Sequence, residues 1–469
     1  MSQHSFRKVS MQKRSARLHL FLVVSLVLAV CTGCGGGNSS TTTYSGGGTG
    51  TGAAGTTVTL DTPTGPNTTE VIVDSGPGSF SLGVANVPYV TVTVCAPNSS
   101  TCVTIDHVFL DTGSYGLRVL KSSVDRLSLP PVTLAADRQL NTPAGTAVEC
   151  YAFVLGGVWG PLAHADVRIA GETATAIPIQ VIDDTATATL TAPADCIAAS
   201  GGSVFTSAAS LQANGILGIG MIPYDCGVTC TSPLNYAGFH VQYYACPDSV
   251  TAHCQPAGIP IVQQAQNPVA HFVPDDHNPQ PDNNGTIISL PALPALGAGV
   301  AKGRLVFGIG TRTNNQISPG AKMLMVDVNP SSPDYLFFTT TLGPASFPDS
   351  YIDSGSNAYF FNDPGIPQSC RSSSGSASAD GWYCPAGTAP VTRNATLTDS
   401  LGNTASLDFS IANADLLFSG SSTAFGNLGG SISQAPQTFV WGLSFFFGRS
   451  VYTSIWGQAL SPNGPWNAF

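Results

Sequence analysis

The sequence has few charged side chains. They make up 9% of its 469 residues, and only 17 residues are Lys or Arg. The net charge is −10, and it becomes −10 − 5 = −15 without the first 33 residues, which hold five cations and no acid. An acidic chain with so few cations is poorly suited to a phosphate backbone, so we expect no nucleic-acid partner.

Several catalytic motifs are absent from the sequence. It has no Gly-x-Ser-x-Gly elbow, which argues against a serine hydrolase, and no Gly-Lys-[Ser/Thr] ending that would make a phosphate-binding loop. It also has no His-Glu-x-x-His, and no Cys-x-x-Cys beyond residue 34. We therefore expect no metal and no organic cofactor.

Long apolar runs are also missing. The longest, LHLFLVVSLVLAV at 18–30, follows a basic segment and is too short for a comfortable membrane span. It predicts a signal peptide over 1–34. Thr32-Gly33-Cys34 resembles the end of a bacterial lipobox, although Cys31 stands where Leu is usual. This predicts lipidation at Cys34, with plain secretion or an uncleaved anchor as alternatives.

The segment after the predicted signal peptide is low in complexity. Residues 35–66 are rich in Gly, Ser and Thr and cannot bury a core, so they predict a flexible linker. Together these features predict a protein of the bacterial cell envelope, either lipid-anchored, with the outer membrane as the expected site, or secreted. They argue against a cytoplasmic location.

Ten of the 12 cysteines lie beyond residue 34, and an even count in an exported chain predicts disulfides. Proximity in the sequence suggests four pairs and leaves a fifth, although the sequence alone cannot fix the connectivity. The suggested pairs are Cys95–Cys102, Cys226–Cys230, Cys246–Cys254, Cys370–Cys384 and Cys150–Cys196.

The composition favours β-structure. The chain has 51 Gly, 34 Pro and 43% hydrophobic residues, and many short apolar or alternating stretches are separated by turn residues. VPYVTVTVC (87–95) alternates as a half-buried strand does. Residues 265–300, which include PDDHNPQPDNNG, predict a polar loop. We expect an all-β fold.

One sequence pattern occurs twice. VFLDTGSYGLRVL contains Asp111, and SYIDSGSNAYFF contains Asp353; each reads apolar–Asp–[Ser/Thr]–Gly–Ser. Each copy is followed later by an apolar stretch ending in Gly, at Gly218 and Gly442. The chain therefore looks duplicated. The alternative is that these are ordinary turns, as a third Asp-Ser-Gly at Asp74 suggests.

These islands resemble the pepsin-like, two-lobed aspartic proteases, in which each lobe gives one Asp-[Thr/Ser]-Gly-[Thr/Ser] loop. GILGIG (215–220), LVFGIG (305–310) and VWGLSFFFGRSVYTSI extend the resemblance. It implies a bilobal fold with an N-terminal lobe at 67–310, a C-terminal lobe at 311–469 and a cleft between them, in a monomer. The whole chain also resembles a family of bacterial lipoproteins of uncharacterised function.

The resemblance implies catalysis by Asp111 and Asp353. Two adjacent carboxylates share one proton, so that one can activate water while the other polarises the scissile carbonyl. Glycine beside each Asp lets backbone N–H groups approach the carboxylates. The resemblance further implies supporting roles for the remaining loop residues: Thr112 and Ser354 would cross-link the loops beside Gly113 and Gly355, and Ser114 and Ser356 would bind the outer Asp oxygens.

The resemblance has departures near the expected substrate flap. Pepsin-like enzymes usually carry Trp seven residues after the first Asp, and Arg118 stands there. The flap candidate, 151–167, places Phe153 at the usual Tyr position, with Tyr151 and Trp159 as neighbours. The usual Trp–Tyr pair is therefore expected to be absent. Arg118 is either a solvated cation on the far side of the loop or a residue that lines the cleft.

The sequence thus predicts an aspartic endopeptidase of the cell envelope that binds an extended peptide or protein substrate across the cleft. The main alternative is a non-catalytic envelope lipoprotein that binds peptides or proteins on a degenerate aspartic-protease fold. A β-sandwich adhesin, in which the two Asp loops coincide by chance, is a third possibility.

Overall fold

The computed structural model of the chain describes residues 56–60, 65–77, 84–139, 142–154, 156–184, 190–233, 241–247, 253–274, 279–329, 332, 335–368, 370, 381–458 and 465–469. The predicted signal peptide at 1–34, with Cys34, lies outside the described residues, as do residues 35–55 of the predicted linker.

The strands of the described residues form two sheets, and seventeen of these strands form the first sheet. In chain order they are β1 Thr57–Thr59, β2 Thr68–Val73, β3 Pro88–Cys95, β4 Cys102–Asp111, β5 Tyr115–Leu120, β6 Thr133–Leu134, β7 Gly145–Phe153, β8 Gly156–Ile169, β9 Glu172–Ile182, β10 Gly215–Ile219, β11 Val241–Cys246, β12 Gln255–Pro256, β13 Gly285–Leu290, β14 Val300–Phe307, β15 Met323–Met325, β23 Arg449–Ser454 and β24 Trp466–Ala468.

Seven strands form the second sheet. They are β16 Phe338–Leu342, β17 Ala345–Ile352, β18 Tyr359–Phe360, β19 Val391–Thr398, β20 Thr404–Ile411, β21 Gly429–Gly430 and β22 Thr438–Trp441. The α-helices of the described chain are short: α1 Lys121–Val124, α2 Ala194–Ala199, α3 Ala208–Leu211 and α4 Ala414–Leu417. The expected all-β class is confirmed.

The duplication predicted from the sequence is present in the strand pairing. In the first sheet, β10 lies between β4, to which it is parallel, and β5, to which it is antiparallel. In the second sheet, β22 lies in the same way between β17 and β18. Each Asp loop therefore joins two strands, and a later strand with a glycine at or next to its end lies between them and pairs with both. The two-lobed arrangement follows from these two repeated units.

Glycine at the end of each central strand has a steric cause. A Cβ on Gly218 would lie 2.6 Å from the backbone nitrogen of Tyr115, and a Cβ on Gly442 would lie 2.0 Å from the carbonyl oxygen of Ala358. No side chain fits at either contact, because real Cβ atoms essentially never approach other heavy atoms within 3.0 Å. The glycines let the central strand run directly behind each Asp loop.

Two expectations about loops are wrong. Residues 57–59 of the predicted flexible linker form β1, which pairs in parallel with β14. The β-branched run Thr57-Val58-Thr59 suits a strand despite its Gly-rich neighbours. Within the predicted polar loop at 265–300, the apolar stretch GTIISL forms β13, which pairs with β14 and β23.

The two lobes predicted at 67–310 and 311–469 are not separate sheets. β15, β23 and β24 follow residue 310 in sequence but belong to the first sheet. A single cluster of buried apolar side chains also contains residues of both sheets, for example Val71 on β2 and Phe439 on β22. The domain boundary at residue 310 therefore remains a prediction. The parts of the chain before and after it share one sheet and one core.

Five disulfides join the ten described cysteines: Cys95–Cys102, Cys150–Cys196, Cys226–Cys230, Cys246–Cys254 and Cys370–Cys384. They are the pairs that proximity in the sequence suggested. Among the described residues, no helix is both long enough and apolar enough to span a bilayer.

Candidate active site

The two Asp loops have the same internal hydrogen bonds. The Gly113 N–H donates to Asp111 Oδ1 at 2.8 Å, and the Gly355 N–H donates to Asp353 Oδ1 at 2.7 Å. The serine hydroxyl three residues after each aspartate binds the other oxygen: Ser114 Oγ lies 2.5 Å from Asp111 Oδ2, and Ser356 Oγ lies 2.6 Å from Asp353 Oδ2. Each carboxyl is thus fixed by a backbone donor and a side-chain donor.

The two carboxyls face each other. A Cβ built on Gly113 would lie 2.6 Å from Asp353 Oδ1, and one built on Gly355 would lie 2.3 Å from Asp111 Oδ1 and 3.0 Å from Asp353 Oδ1. Both aspartates therefore place an oxygen beside the same carbon position. Two carboxyls held this close favour sharing one proton, because two carboxylates hold only acceptors and repel each other.

The loops are also cross-linked through their second residues. The Thr112 N–H donates to Ser354 Oγ at 3.0 Å, and the Ser354 N–H donates to Thr112 Oγ1 at 2.9 Å. Ser354 Oγ in turn donates to the carbonyl oxygen of Leu110 at 2.8 Å. These are the partners that the sequence resemblance implied for Thr112 and Ser354, and they fix the distance between the two aspartates.

Burial sets the acidity of the dyad. Asp111 and Asp353 are both 0% exposed. Burial, together with the neighbouring Asp111 charge, raises the pKa of Asp353 well above its usual value. Burial also raises the pKa of Asp111, against the lowering effect of its hydrogen bonds with Ser114 and Gly113. The pair therefore favours the singly protonated state over a wide pH range.

Arg118 is not the solvated cation that was one of the two expectations. Its side chain is fully buried and pairs with two buried carboxylates: Nη2 lies 2.6 Å from Glu149 Oε1 and 2.9 Å from Asp225 Oδ1. Nη1 donates to the Tyr115 carbonyl at 2.7 Å. The guanidinium carbon lies 3.9 Å from the centroid of the Tyr151 ring. We call Arg118, Glu149 and Asp225 the charge cluster.

The predicted flap is a hairpin of β7 and β8, in which Tyr151 lies opposite Val158 and Cys150 lies opposite Trp159. Tyr151 and Phe153 contact each other, with ring centroids 4.7 Å apart, in the core that contains Val158. Trp159 belongs to a different core with Cys150, and its Nε1 donates to the Leu190 carbonyl. Of the three aromatic candidates, Tyr151 is the one that contacts Arg118.

The Arg118–Tyr151 contact joins β5 to the β7–β8 hairpin. The sequence indicated that the usual Trp–Tyr pair is absent. At these positions the structure has a cation stacked on an aromatic ring, and such a contact stabilises more strongly when it is desolvated.

Residues 63–469 match the model of a family described as "Protein of unknown function (DUF3443)". The chain belongs to this family. No curated protein matches the chain. Among solved structures, the chain is similar to the crystal structure of an aspartic proteinase from Irpex lacteus, with 12% sequence identity and a TM-score of 0.42; the match covers 86% of this chain and 96% of that one.

Sequence reasoning missed two acids of this DUF3443 chain. Glu149 lies inside the apolar strand GTAVECYAF, and Asp225 follows the Gly-ended strand β10 by a few residues. A lone acid in an otherwise buried strand indicates a paired charge, because burying an unpaired carboxylate is costly. That signal could have identified Glu149, whereas nothing in the sequence around Asp225 points to Arg118.

Other features of the DUF3443 chain lie away from the dyad. One group in the described chain has the composition of a metal site, Cys370, Cys384 and Asp415, but its two sulfurs are bonded to each other and cannot act as thiolate ligands. A surface cavity of about 270 Å³ lies beside α1, lined by Lys121, Leu162 and Asp183 among others; neither aspartate of the dyad lines it.

Proposed function

We propose that the protein is an aspartic-type endopeptidase that hydrolyses peptide bonds through Asp111, Asp353 and an activated water. The observation that carries this proposal is the close approach of the two carboxyls between two cross-linked loops. A buried acid pair that shares one proton combines a general base and a general acid within reach of one substrate atom.

The chemistry follows from that shared proton. The ionised carboxyl accepts a proton from water, which attacks the scissile carbonyl carbon, while the protonated carboxyl donates to the carbonyl oxygen. In collapse of the tetrahedral intermediate, the carboxyl that took the proton from water donates it to the leaving nitrogen, the other carboxylate takes back the proton from the former carbonyl oxygen, and the C–N bond breaks. Which aspartate begins protonated is not assigned, because the pair titrates as a unit.

The buried dyad sets a condition on substrate access. Because both aspartates are 0% exposed, a peptide reaches them only if a covering segment moves. The β7–β8 hairpin is the candidate segment, since Arg118 and Tyr151 join it to the first Asp loop. We therefore place substrate binding under this hairpin, where Tyr151, Phe153 and Arg118 lie, in agreement with the extended-peptide substrate that the resemblance implies.

The proposed location is the bacterial cell envelope, with a lipid anchor at Cys34. The five disulfides support an oxidising compartment. The substrate would be an unfolded or extended segment of a protein in that compartment.

The test incubates the purified mature chain with an unfolded protein between roughly pH 3 and 8, a range that brackets carboxyl titration from ordinary to raised pKa values. Asp111→Asn and Asp353→Asn should each lose more than about 100-fold of the cleavage rate, the scale of general acid–base catalysis. Asp74→Asn, in the third Asp-Ser-Gly turn, is the matched control and should cut like the wild type. Equal cleavage by the two dyad variants would refute the assignment.

Full burial of both dyad carboxyls favours a second candidate, a protein that binds peptides without hydrolysing them. In that case the wild type would cut nothing at any pH, and a statine-type transition-state mimic would bind no more tightly than its ground-state peptide. Tight binding of the mimic, lost in Asp353→Asn, would support the enzyme instead.

A further inference from the structure

The charge cluster holds more acid than base. Arg118 contributes one positive charge, and Glu149 and Asp225 would contribute two negative charges if both were ionised. All three side chains are 0% exposed, so the excess charge has no contact with solvent. A buried unpaired charge is costly, and taking up a proton removes it. The two carboxyls lie beside each other, because Arg118 Nη2 contacts an oxygen of each. The second oxygen of Glu149, Oε2, is buried and has no hydrogen-bond partner among the described residues, so it is the atom that can hold such a proton.

We propose that Glu149 holds one proton where it lies beside Arg118 and Asp225, and that this proton holds the β7–β8 hairpin against the first Asp loop. The proposal rests on the proposed function in one respect: it makes Arg118 a positioning residue for hydrolysis, acting through the hairpin rather than on the substrate. The binding of the proton itself follows from the geometry of the cluster alone.

The cluster connects four parts of the first sheet. Arg118 is on β5 and donates to the carbonyl of Tyr115, which begins that strand beside the Asp loop. Glu149 is on β7, and its carbonyl oxygen accepts from Gln180 Nε2 on β9 at 2.8 Å. Asp225 lies in the loop after β10 and accepts from the Tyr243 hydroxyl on β11 at 2.9 Å. Loss of the proton therefore acts on the side-chain contacts that join the hairpin base to β5 and to the loop after β10.

No titratable group that faces the cluster can supply a positive charge to balance its excess negative charge between pH 5 and 8. Burial raises the pKa values of Tyr151 and Tyr243 well above 10, so both stay neutral. Asp111 is close enough for Arg118 to lower its pKa, and it adds negative charge rather than balancing it. His271 packs on Tyr224, next to Asp225, and burial lowers its pKa, so it stays uncharged as pH rises.

The direction of the pH effect follows. Burial, the largest cause, raises the pKa of Glu149 well above its usual value, against the lowering effect of Arg118. Below that folded-state pKa the cluster is neutral and the hairpin is held. Above it, one uncompensated charge remains in the core, and the hairpin separates from the Asp loop more easily.

The test measures amide hydrogen exchange in β7 and β8 of the full mature chain at several pH values between 5 and 8. Each value is expressed as a protection factor, to remove the intrinsic pH dependence of exchange. In the wild type, protection of the hairpin should fall by about tenfold or more across this range, the equivalent of one pKa unit or more. Glu149→Gln and Asp225→Asn should each remove most of that fall, because each leaves one carboxylate on one guanidinium.

Glu172→Gln is the matched control. Glu172 is a second buried acid with an acid and an arginine nearby, Asp282 and Arg312, and its pKa is raised to about 7. It begins β9 and lies opposite Ile169, at the end of β8 that is far from the turn of the hairpin. The hairpin of Glu172→Gln should show the pH dependence of the wild type. Equal protection at all pH values in the wild type, or an unchanged pH dependence in both cluster variants, would overturn the proposal.

An activity measurement then separates this proposal from the proposed function. If the wild type cleaves peptide, Glu149→Gln should shift the alkaline limb of its pH profile and change KM more than kcat, because it alters hairpin closure and leaves the dyad intact. If the wild type cleaves nothing at any pH, the proposed function fails. The exchange experiment still decides whether the proton at Glu149 holds the hairpin.

Discussion

Thr112 and Ser354, 242 residues apart, exchange hydrogen bonds: the backbone N–H of each donates to the hydroxyl of the other. Neither residue is expected to take part in the proposed peptide hydrolysis itself. They set the separation at which that chemistry is possible, because the next residue back in each loop is an aspartate of the dyad. A hydroxyl at each position is therefore a geometric requirement of the site.

Thr112→Val tests this requirement. Valine has nearly the same shape but no hydroxyl, so the Ser354 N–H loses its acceptor in a buried site. We expect a loss of about 1–3 kcal/mol in the free energy of unfolding, the cost of one unsatisfied buried donor. The measurement is denaturant unfolding of the two proteins. Thr112→Ser keeps the hydroxyl and should lose less; equal losses would mean that packing, not the hydrogen bond, fixes the loop.

Gly355→Ala tests the closeness of the two carboxyls. The new methyl group would lie 2.3 Å from Asp111 Oδ1, so one loop must move. We expect cleavage, or binding of a transition-state mimic, to fall by more than about tenfold, since small displacements at a reacting centre are costly. Gly420→Ala, whose new methyl would meet only one atom within 4.0 Å, is the control and should behave as the wild type.

The raised pKa of Asp353 predicts how stability depends on pH. A carboxyl whose folded-state pKa lies above its unfolded value stabilises the fold fully below the unfolded value, and this stability is lost as pH rises through the folded value. The wild type should therefore melt at lower temperature at pH 8 than at pH 5.

Asp353→Asn should reduce the loss of stability between pH 5 and pH 8. The reduction in the free energy of unfolding is about 1.4 kcal/mol for each pKa unit by which Asp353 is shifted. Thermal melts of both proteins across this range provide the measurement. His271, whose pKa burial lowers, acts in the opposite direction in both proteins, so it cancels in the comparison. The exposed Asp125→Asn makes the same change of charge and should leave the wild-type pH dependence unaltered; a smaller decrease in this control would show that net charge is the cause.

The disulfide Cys150–Cys196 should contribute more stability than Cys95–Cys102. It closes a loop of 46 residues against 7, and loop entropy predicts about 4 and about 2 kcal/mol respectively. The paired Cys→Ala variants, compared by denaturant unfolding, provide the measurement. Because Cys150 is on β7, its removal should also increase amide exchange in the hairpin, whereas removal of Cys95–Cys102 should not.

The sequence predicted the parts of the site that repeat. Asp111 and Asp353 each follow apolar residues and precede a Gly turn, and the glycines at 218 and 442 mark the strands behind them. Repetition made these features visible, because a pattern found twice is harder to explain as a chance turn.

The sequence predicted much less about the charge cluster. Arg118, Glu149 and Asp225 occur once each, on elements that only tertiary pairing brings together, so the sequence left both a solvated position and a cleft position open for Arg118. Residues 57–59 and 285–290 were missed for a different reason. Each is a short apolar or β-branched run within a polar context, and its strand forms because it pairs with β14, on the side of β14 away from β2.

The order in which the strands enter the two sheets has a consequence for how the molecule folds. The first sheet contains β1 and β24, from opposite ends of the described chain, whereas the second sheet is built from one continuous stretch that ends with β22. During synthesis, the second sheet can form once β22 has emerged, but the first stays open until β24 emerges. Contacts between such distant residues slow folding. The short strand β24 therefore decides when the larger part of the molecule can close.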